Sequence, residues 1–287
     1  MKINLPQGCF AMTVDIEIVC VGNELLIGKV VNTNASWIGK RATSLGVKVK
    51  RITVVADDVA EMAAAFREVL ERKPQFVIST GGLGPTFDDK TLEGIANALN
   101  RRLTVNKEAL EMVKEKYREI AKTRPILEDD MTPPRVKMAT LPLGTHPILN
   151  PIGTAPGVKA IVDRTVLIVL PGVPHEMTAI FEASVVPLLK QSAGNVGFFE
   201  LSIYADGIME SILAPLIDKV MHNNPLVYIK SHPKSKESSP HMELHLSTTG
   251  NPTDNPEKRL NRAALELAGL IEKTGGEIVK IKTDNPI

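Results

Sequence analysis

The sequence predicts an α/β protein with a mostly parallel sheet, followed by a small α+β domain. From residue 14 onward, strand-like and helix-like segments alternate in the order β-α-β-α-β-loop-α, which favours a parallel sheet with helices on both faces. Residues 142–174 then contain six prolines and four glycines, so loops and short strands replace the alternation. After residue 198 the order of strands and helices changes, which indicates a second domain.

Strands of the first domain are predicted where β-branched residues form short runs. These runs cover residues 15–22, 47–56, 75–80, 157–163 and 165–170. Helices are predicted over residues 33–45, 59–70, from about 90, 107–122 and 175–190. Asp58 and Glu61 resemble a capping box at the start of the helix at 59–70.

The second domain is predicted to contain four strands and two helices. The strands cover residues 199–204, 226–231, 241–248 and 276–282, and the helices 207–221 and 256–273. Residues 191–197 are interpreted as a linker, and 231–240 as a polar hairpin loop. The predicted organisation is an N-terminal extension over 1–12, a first domain over 13–192 and a second over 196–287.

Length, charge and cysteine content exclude several classes of protein. The 287 residues suggest two domains, and the net charge of +1 creates no field that would attract nucleic acid or an anionic membrane. Cys9 and Cys20 cannot form a disulfide framework. No apolar run reaches the ~18–20 residues of a membrane span, and residues 1–11 make a poor signal peptide. We therefore expect a cytoplasmic protein that does not contact a membrane.

A glycine-rich segment between a strand and a helix is the strongest local indication of chemistry. Residues 79–91 read Ser-Thr-Gly-Gly-Leu-Gly-Pro-Thr-Phe-Asp-Asp-Lys-Thr. Backbone N–H groups in such a turn, together with a helix N-terminus, favour phosphate or another anion. The segment is neither Gly-x-Gly-x-x-Gly nor a Walker loop. Asp88 and Asp89 would repel an anion unless a divalent metal intervened, which indicates Mg²⁺, Mn²⁺ or Co²⁺. Alternatively, Asp89 caps the following helix.

Six ordered motifs resemble those of one family. The segment from Thr80 to Thr91 is similar to the signature of the MoaB/Mog molybdopterin-binding domain. More closely, the chain resembles the first domain of the CinA (competence/damage-inducible) family, densely over residues 14–190 and loosely over 198–282. The motifs are Val21-Gly22-Asn23-Glu24-Leu25-Leu26-x-Gly28, Asn32-Thr33-Asn34-Ala35, Val54-Val55-Ala56-Asp57-Asp58, Thr80-Gly81-Gly82-x-Gly84-x-Thr86-x-x-Asp89-x-Thr91, Gly153-Thr154-Ala155-Pro156-Gly157 and Leu170-Pro171-Gly172-Val173-Pro174-x-Glu176-Met177.

The resemblance implies a three-layer domain that holds a phosphorylated pterin or nucleotide at the carboxyl ends of its strands, followed by a KH-like domain. It also implies two activities known among relatives: molybdopterin handling, and metal-dependent cleavage of ADP-ribose into AMP and ribose 5-phosphate. Full-length bacterial relatives carry a C-terminal amidase that acts on nicotinamide mononucleotide. This chain ends at Ile287 without it, so we expect a short form and do not assign that activity.

Two positions depart from what the resemblance implies. Asn23 stands where many relatives carry Asp, which removes one metal-binding or acid/base carboxylate and leaves Asn23 as a substrate contact. Leu83 stands where the molybdopterin enzymes usually have Thr, a change typical of the CinA branch.

Backbone and side-chain donors are expected to bind the phosphorylated ligand. Gly81, Gly82 and Gly84 would present N–H groups to phosphate, and Thr86 could add a hydroxyl. Pro171, with the glycine that follows it, is a candidate substrate contact because the pair allows close backbone approach to a ligand, and a strand-ending turn explains it equally well.

Charged side chains supply the expected chemistry. Asp89 is the candidate metal ligand or water-activating base, with Asp57 as its partner and Asp88 as a second metal ligand. Asp89 and Asp57 could instead be helix caps. Lys137 and Arg135 could neutralise a diphosphate, although surface cations are abundant and that ordinary interpretation is favoured for both.

Four further residues are candidate substrate contacts. Glu24 could orient a ribose hydroxyl or a metal-bound water, or remain a solvated loop carboxylate. Asn32 and Asn34 could contact hydroxyl groups or base edges, or cap the nearby helix. Gly172 allows close backbone approach to a ligand, and a strand-ending turn explains it equally well.

The favoured hypothesis is a metal-dependent nucleotide pyrophosphatase of the ADP-ribose type. The alternatives are a molybdopterin-binding or adenylyl-transferring protein and a non-catalytic nucleotide-binding module. RNA binding by the second domain is disfavoured because residues 198–287 contain 10 Lys/Arg and 12 Asp/Glu, a net charge of −2. We expect a homo-oligomer, either a dimer or a trimer.

Overall fold

The structure, a computed structural model of the protein, describes residues 14–123, 130–234 and 241–283. The chain divides into two compact units. One contains Val14–Ala42 and Val47–Ser192, and the other contains Thr43–Gly46 with the chain from Ala193 onward. The extension predicted over residues 1–12 lies outside the described residues. Every helix in the described part of the chain is too short or too polar to span a membrane.

The first unit is built around a mostly parallel sheet. Its strands are β1 (Asp15–Val21), β2 (Lys48–Val55), β3 (Phe76–Thr80), β4 (Leu103–Val105), β5 (Thr140–Pro142), β6 (His146–Ile148), β7 (Gly157–Val162) and β8 (Thr165–Leu170). Six of them form one sheet in the order β2-β1-β3-β8-β7-β6, and β4 and β5 pair separately. Strands β2, β1, β3 and β8 are parallel to one another. Strand β7 is antiparallel to β8, and β6 is antiparallel to β7.

Both faces of the sheet are covered at its centre. Every residue of β3 is buried, and so is every residue of β1 after Asp15. Because successive side chains of a strand point to opposite faces, these strands bury side chains on both sides. The predicted α/β class with a mostly parallel sheet is confirmed.

The described residues of the first unit contain eight α-helices. They are α1 (Asn23–Leu26), α2 (Thr33–Ser44), α3 (Val59–Glu71), α4 (Thr91–Ala98), α5 (Lys107–Thr123), α6 (Pro133–Met138), α7 (Pro174–Ile180) and α8 (Val186–Ala193). The Asp58 carboxylate accepts hydrogen bonds from the N–H groups of Ala60 and Glu61 at 2.9 and 3.0 Å, as expected for the cap of α3. Gly94 brings α4 close to α3, because a Cβ there would lie 2.6 Å from Met62 Cβ.

The helix predicted over 175–190 is divided in three. Between α7 and α8 the residues Phe181–Val185 form a π-helical turn. The Trp37 ring packs edge-on against Phe181 at 5.3 Å between centroids, and Arg41 donates two hydrogen bonds to Glu182 at 2.5 and 3.0 Å. The linker predicted over 191–197 is shorter than expected, because α8 continues to Ala193.

The second unit is an antiparallel sheet with two helices. Its elements are β9 (Gly197–Asp206), α9 (Glu210–Asn223), β10 (Val227–Pro233), β11 (His241–Gly250), α10 (Pro256–Lys273) and β12 (Glu277–Thr283). The strand order β10-β11-β9-β12, with every pair antiparallel, is that of a split β-α-β arrangement. The predicted α+β class is confirmed. The hairpin loop predicted over 231–240 is wrong at its start, because residues 231–233 pair with β11, and 235–240 lie outside the described residues.

Candidate functional site

Gly81 and Gly82 turn the chain sharply after β3. Their φ angles of 105° and 66° lie in the left-handed region. A Cβ at Gly81 would lie 2.3 Å from the Val21 carbonyl oxygen, and one at Gly82 would lie 2.2 Å from Thr91 Oγ1. The Thr91 hydroxyl donates to the Gly81 carbonyl at 2.9 Å, which ties the turn to the first residue of α4. Only glycine therefore fits both positions without strain.

Loops that follow three neighbouring strands meet at this turn. A Cβ at Gly172, which follows β8, would lie 3.3 Å from Gly81 Cα. Asn34 Nδ2, in the first turn of α2, donates to the Gly172 carbonyl at 2.8 Å. The meeting point lies at the carboxyl edge of the parallel strands, where open α/β sheets bind their ligands.

The three predicted N–H donors differ in availability. The Gly81 N–H donates to the Leu170 carbonyl at 3.0 Å and extends the pairing of β3 with β8. The prediction that Gly81 presents its N–H group to phosphate is therefore wrong. The N–H groups of Gly82 and Gly84 have no hydrogen-bond acceptor within the described residues. These two donors remain for a ligand.

Thr86 lies at the centre of the loop that precedes α4. Its N–H donates to Asp89 Oδ2 at 2.9 Å, and its hydroxyl oxygen contacts both Asp89 Oδ2, at 2.5 Å, and Asp88 Oδ1. A hydroxyl carries one proton, so only one of these two carboxylate contacts contains a hydrogen. The hydrogen bond from Thr86 lowers the pKa of Asp88, assisted by the charges of Lys137 and Lys90. The Lys137 ammonium also donates to the Thr86 carbonyl. The loop is thus braced from both sides.

A cavity of about 490 Å³ opens on one side of the glycine turn. Gly82 and Gly84 form part of its wall, and Asp89, Glu93 and Lys137 supply its charged groups. The rest of the wall is mainly apolar and is formed by Leu83, Leu92, Leu103, Met131, Pro133, Val136 and Thr140. A planar ring system with a charged substituent matches this lining.

A second cavity of about 120 Å³ is also lined by this turn. Gly81, Gly172 and the polar side chains of Glu24, Asn32 and Asn34 line it. Asn32 also begins α2, because its Oδ1 accepts from the N–H three residues later at 3.0 Å. Asn34 Oδ1 is buried, and no group of the described chain donates to it. A buried acceptor without a donor favours a ligand hydroxyl at this position.

Asp57 is engaged away from Asp89. Its carboxylate accepts from the Asn23 N–H at 2.8 Å, and its own N–H donates to Asn23 Oδ1 at 3.3 Å. The predicted partner of Asp89 therefore joins the loops after β1 and β2, while Asp89 itself bonds to Thr86. The exposed Glu24 lies close to Gly22, where a Cβ would lie 2.5 Å from Glu24 Oε1.

The two cations near the site, Arg135 and Lys137, differ in their contacts. Arg135 covers the Tyr117 ring at 3.7 Å and donates to the Asp130 carbonyl at 2.5 Å. Lys137 lines the larger cavity, where its ammonium also donates to the Thr86 carbonyl. Among the described residues, no three His, Cys, Asp or Glu side chains form a metal-binding group.

Sequence reasoning missed parts of the site that come from distant segments. Leu103, Met131 and Val136 reach the larger cavity from β4 and the region of α6, and no local motif marks them.

The chain matches the family model described as "Probable molybdopterin binding domain" over residues 17–191, more than half of its length. It belongs to this molybdopterin-binding-domain family. CinA from Thermoplasma acidophilum, described as a protein of unknown function, is 44% identical to it. That similarity covers 61% of this chain and 98% of the CinA chain, with a TM-score of 0.54. The chain is thus a CinA-type member of the family.

Other members of the family extend the comparison. A protein from Saccharolobus solfataricus is 43% identical over 263 residues, which are 91% of this CinA-type chain and 93% of the relative. The molybdopterin biosynthesis enzyme MoaB from Thermus thermophilus is 17% identical, covers 63% of this chain and 97% of its own, and has a TM-score of 0.40. The family match contains both cavities, whereas the Saccharolobus relative extends over most of both units.

Proposed function

We propose that this CinA-type chain binds a nucleoside diphosphate sugar of the ADP-ribose type and hydrolyses its diphosphate to AMP and ribose 5-phosphate. One observation carries the proposal: two cavities of different size and polarity are lined by adjacent residues of the same turn, Gly82 in the larger and Gly81 in the smaller. ADP-ribose has an apolar ring at one end, a polar sugar at the other and a diphosphate between them. The larger cavity suits the base, and the smaller one suits the terminal ribose.

Hydrogen-bond donors around the turn favour the diphosphate. The N–H groups of Gly82 and Gly84 lack acceptors in the described chain, and Lys137 lines the cavity that these glycines border. Backbone N–H groups and an ammonium are common phosphate ligands. The buried Asn34 Oδ1 would accept a hydrogen bond from a ribose hydroxyl in the smaller cavity.

A divalent metal ion is part of the proposal. Asp88 and Asp89 are the residues that would hold it, because their carboxylates converge on one hydroxyl that has a single proton to give. Two carboxylates with substrate phosphate oxygens are a usual set of ligands for Mg²⁺. A bound ion would neutralise charge on the diphosphate.

Asp89 is the residue proposed to activate water. Its Oδ2 accepts a hydrogen bond from the Thr86 N–H and contacts the Thr86 hydroxyl oxygen, so Oδ1 is left to take a proton. Water would attack one phosphorus atom of the diphosphate as its proton passes to Asp89 Oδ1. The P–O–P bridge then breaks, and the bridging oxygen leaves with the other phosphate. Gly82, Gly84 and Lys137 would hold the diphosphate in line for this displacement.

The test is ADP-ribose hydrolysis by the purified chain with Mg²⁺, Mn²⁺ or Co²⁺. We expect AMP release that requires metal and falls by about 100-fold or more in Asp89→Asn. Asp163→Asn, in the turn between β7 and β8, is the matched control and should retain full activity. Absence of AMP with every metal would overturn the hydrolase, as would full activity of Asp89→Asn.

A second candidate is molybdopterin binding or adenylyl transfer, with the non-catalytic nucleotide-binding module as a third. The apolar wall of the larger cavity favours the second candidate, because it would accept a pterin ring as readily as adenine. Pterin or molybdenum in the purified protein would support it. Tight ADP-ribose binding without turnover would instead support the binding module.

We further propose a cytoplasmic homo-oligomer, a dimer or a trimer. Cys20 is a buried free thiol, which suits a reducing compartment. Leu26, Ile27, Val30 and Val31 expose apolar side chains within one short segment, which suits a contact between copies. Light scattering of the purified chain would give the oligomeric state, and a monomer would contradict the proposal.

A further inference from the structure

Phe87 presents a bare aromatic ring in the loop that carries Thr86 and the two aspartates. It is 87% exposed, the highest value among the large apolar side chains of the described residues. Isolated exposed apolar residues are ordinary, so exposure alone does not assign a role. The position of Phe87 in the braced loop does.

The backbone around Phe87 is held in place on both sides. Thr86 before it bonds to Asp89 through its N–H and hydroxyl, and Lys137 binds its carbonyl. The Asp89 N–H also donates to the Thr86 carbonyl at 3.2 Å, which closes a short turn around Phe87. The ring is therefore exposed on a fixed loop.

Phe87 lies next to the larger cavity along the chain and is not itself one of the residues that line it. Asp89 and Lys137 line that cavity, and both bond to Thr86, the residue next to Phe87. An aromatic face at the edge of an apolar cavity offers a planar ring a second stacking surface. The cavity wall supplies aliphatic contacts but includes no aromatic residue.

We propose that Phe87 stacks on the base of the nucleotide and determines the preference for a ligand with an aromatic ring. This inference rests on the proposed function, since it assigns the base of ADP-ribose to the larger cavity. It goes beyond that function because it names a residue that determines selectivity. Phe87 would strengthen the binding of ligands that contain adenine and would not affect sugar phosphates, which make only the phosphate contacts.

The test compares two ligands on three forms of the full chain. Affinities for AMP and for ribose 5-phosphate are measured by calorimetry on the wild type, Phe87→Leu and Phe87→Trp. Leu keeps an apolar side chain without a π-face, whereas Trp keeps the face. We expect Phe87→Leu to bind AMP about 5- to 150-fold more weakly, as for loss of one base–aromatic stack, with ribose 5-phosphate unchanged. Phe87→Trp should retain AMP binding. AMP should also quench the tryptophan fluorescence of this variant, whereas the wild type, whose one tryptophan is Trp37, should show no such quenching.

The outcomes distinguish failure of the stacking proposal from failure of the proposed hydrolase activity. Unchanged AMP affinity in Phe87→Leu overturns stacking, even if ADP-ribose is still hydrolysed. Equal weakening of both ligands also overturns it, because the ring would then act only on loop structure. A shift in oligomeric state confined to Phe87→Leu, or failure of the wild type to bind AMP, overturns it as well. Selective loss of AMP without any turnover of ADP-ribose supports stacking and removes the hydrolase.

Discussion

Asn23 and Asp57 hold each other through two hydrogen bonds that run in opposite directions. The Asn23 N–H donates to the Asp57 carboxylate at 2.8 Å, and the Asp57 N–H donates to Asn23 Oδ1 at 3.3 Å. The pair joins the loops after β1 and β2 at the ligand edge of the sheet. A neutral amide at position 23 keeps the Asp57 carboxylate free of a like-charged neighbour. The two hydrogen bonds therefore account for the pairing of an amide at position 23 with a carboxylate at position 57.

Asn23→Asp should be less stable near neutral pH than in acid, relative to the wild type. The new carboxylate can still accept from the Asp57 N–H, but it adds a negative charge beside Asp57. Repulsion between two like charges destabilises the folded state, so the loss is largest when both groups are ionised. We expect a loss of about 0.5–1 kcal/mol at about pH 7 that shrinks towards about pH 4. Urea denaturation at both pH values measures it, and Asn23→Ala, which removes the acceptor, should show no such pH dependence.

Gly82→Ala should be far more destabilising than Gly28→Ala. Both glycines have left-handed φ angles, 66° and 70°. A Cβ at Gly82 would meet Thr91 Oγ1 at 2.2 Å, whereas nothing lies within 4 Å of one at Gly28. We expect losses of about 2–4 kcal/mol for Gly82→Ala and about 1 kcal/mol for Gly28→Ala, from thermal or urea unfolding. Equal losses would mean that the turn moves freely away from Thr91.

Thr86→Val should raise the pKa of Asp88. The hydrogen bond from the Thr86 hydroxyl is the main cause of the lowered value, so its removal returns the carboxyl towards its ordinary range. Carbon-detected NMR titration of the aspartate carboxyls would follow the change. Thr86→Ser keeps the hydroxyl and should leave the pKa low. A low pKa in both variants would assign the effect to Lys137 and Lys90 instead.

Glu243 should stabilise the second unit only while it is ionised. Burial alone would raise its pKa, but hydrogen bonds from Lys234, Tyr204 and Ser202 outweigh it and lower the pKa to about 2. A carboxyl whose pKa is lower in the folded state contributes stability above its unfolded pKa and loses it as the pH falls through the folded value. We expect Glu243→Gln to cost about 1–2 kcal/mol at about pH 7.

The difference between Glu243→Gln and the wild type should shrink between about pH 4.5 and about pH 2, as the wild-type carboxyl takes up its proton. Guanidinium denaturation over this range measures it. Glu277→Gln, an exposed change on β12 of the same unit, is the control and should show no comparable trend. A constant difference at every pH would show that the charge of Glu243 is not the cause.

Local patterns were sufficient to predict most of the fold. Runs of β-branched residues predicted β1, β3 and β8, because central strands of a parallel sheet need side chains that pack on both faces. Asp58 predicted the start of α3, since its cap is formed within four residues of chain. Structural features that are determined by residues close together in the sequence could therefore be predicted.

Features that depend on distant neighbours were not predicted. The N–H group of Gly81 is consumed by Leu170, a partner 89 residues away that no local pattern reveals. Asp57 faces Asn23 because two loops happen to adjoin at the sheet edge. The apolar wall of the larger cavity combines β4, α4 and the region of α6. Their proximity is a property of the packed unit.

The two edges of the six-stranded sheet limit how copies of this chain can associate. β2 forms one edge and exposes Lys48, Lys50 and Arg51, while the other edge is β6, a strand of three residues. Unpaired edge strands invite pairing with another chain, and both exposed cations and short length discourage it. Pairing of another chain with either edge of this sheet is therefore disfavoured. Lys48 and Lys50 on β2 thus oppose aggregation in which the sheets of successive copies would pair edge to edge.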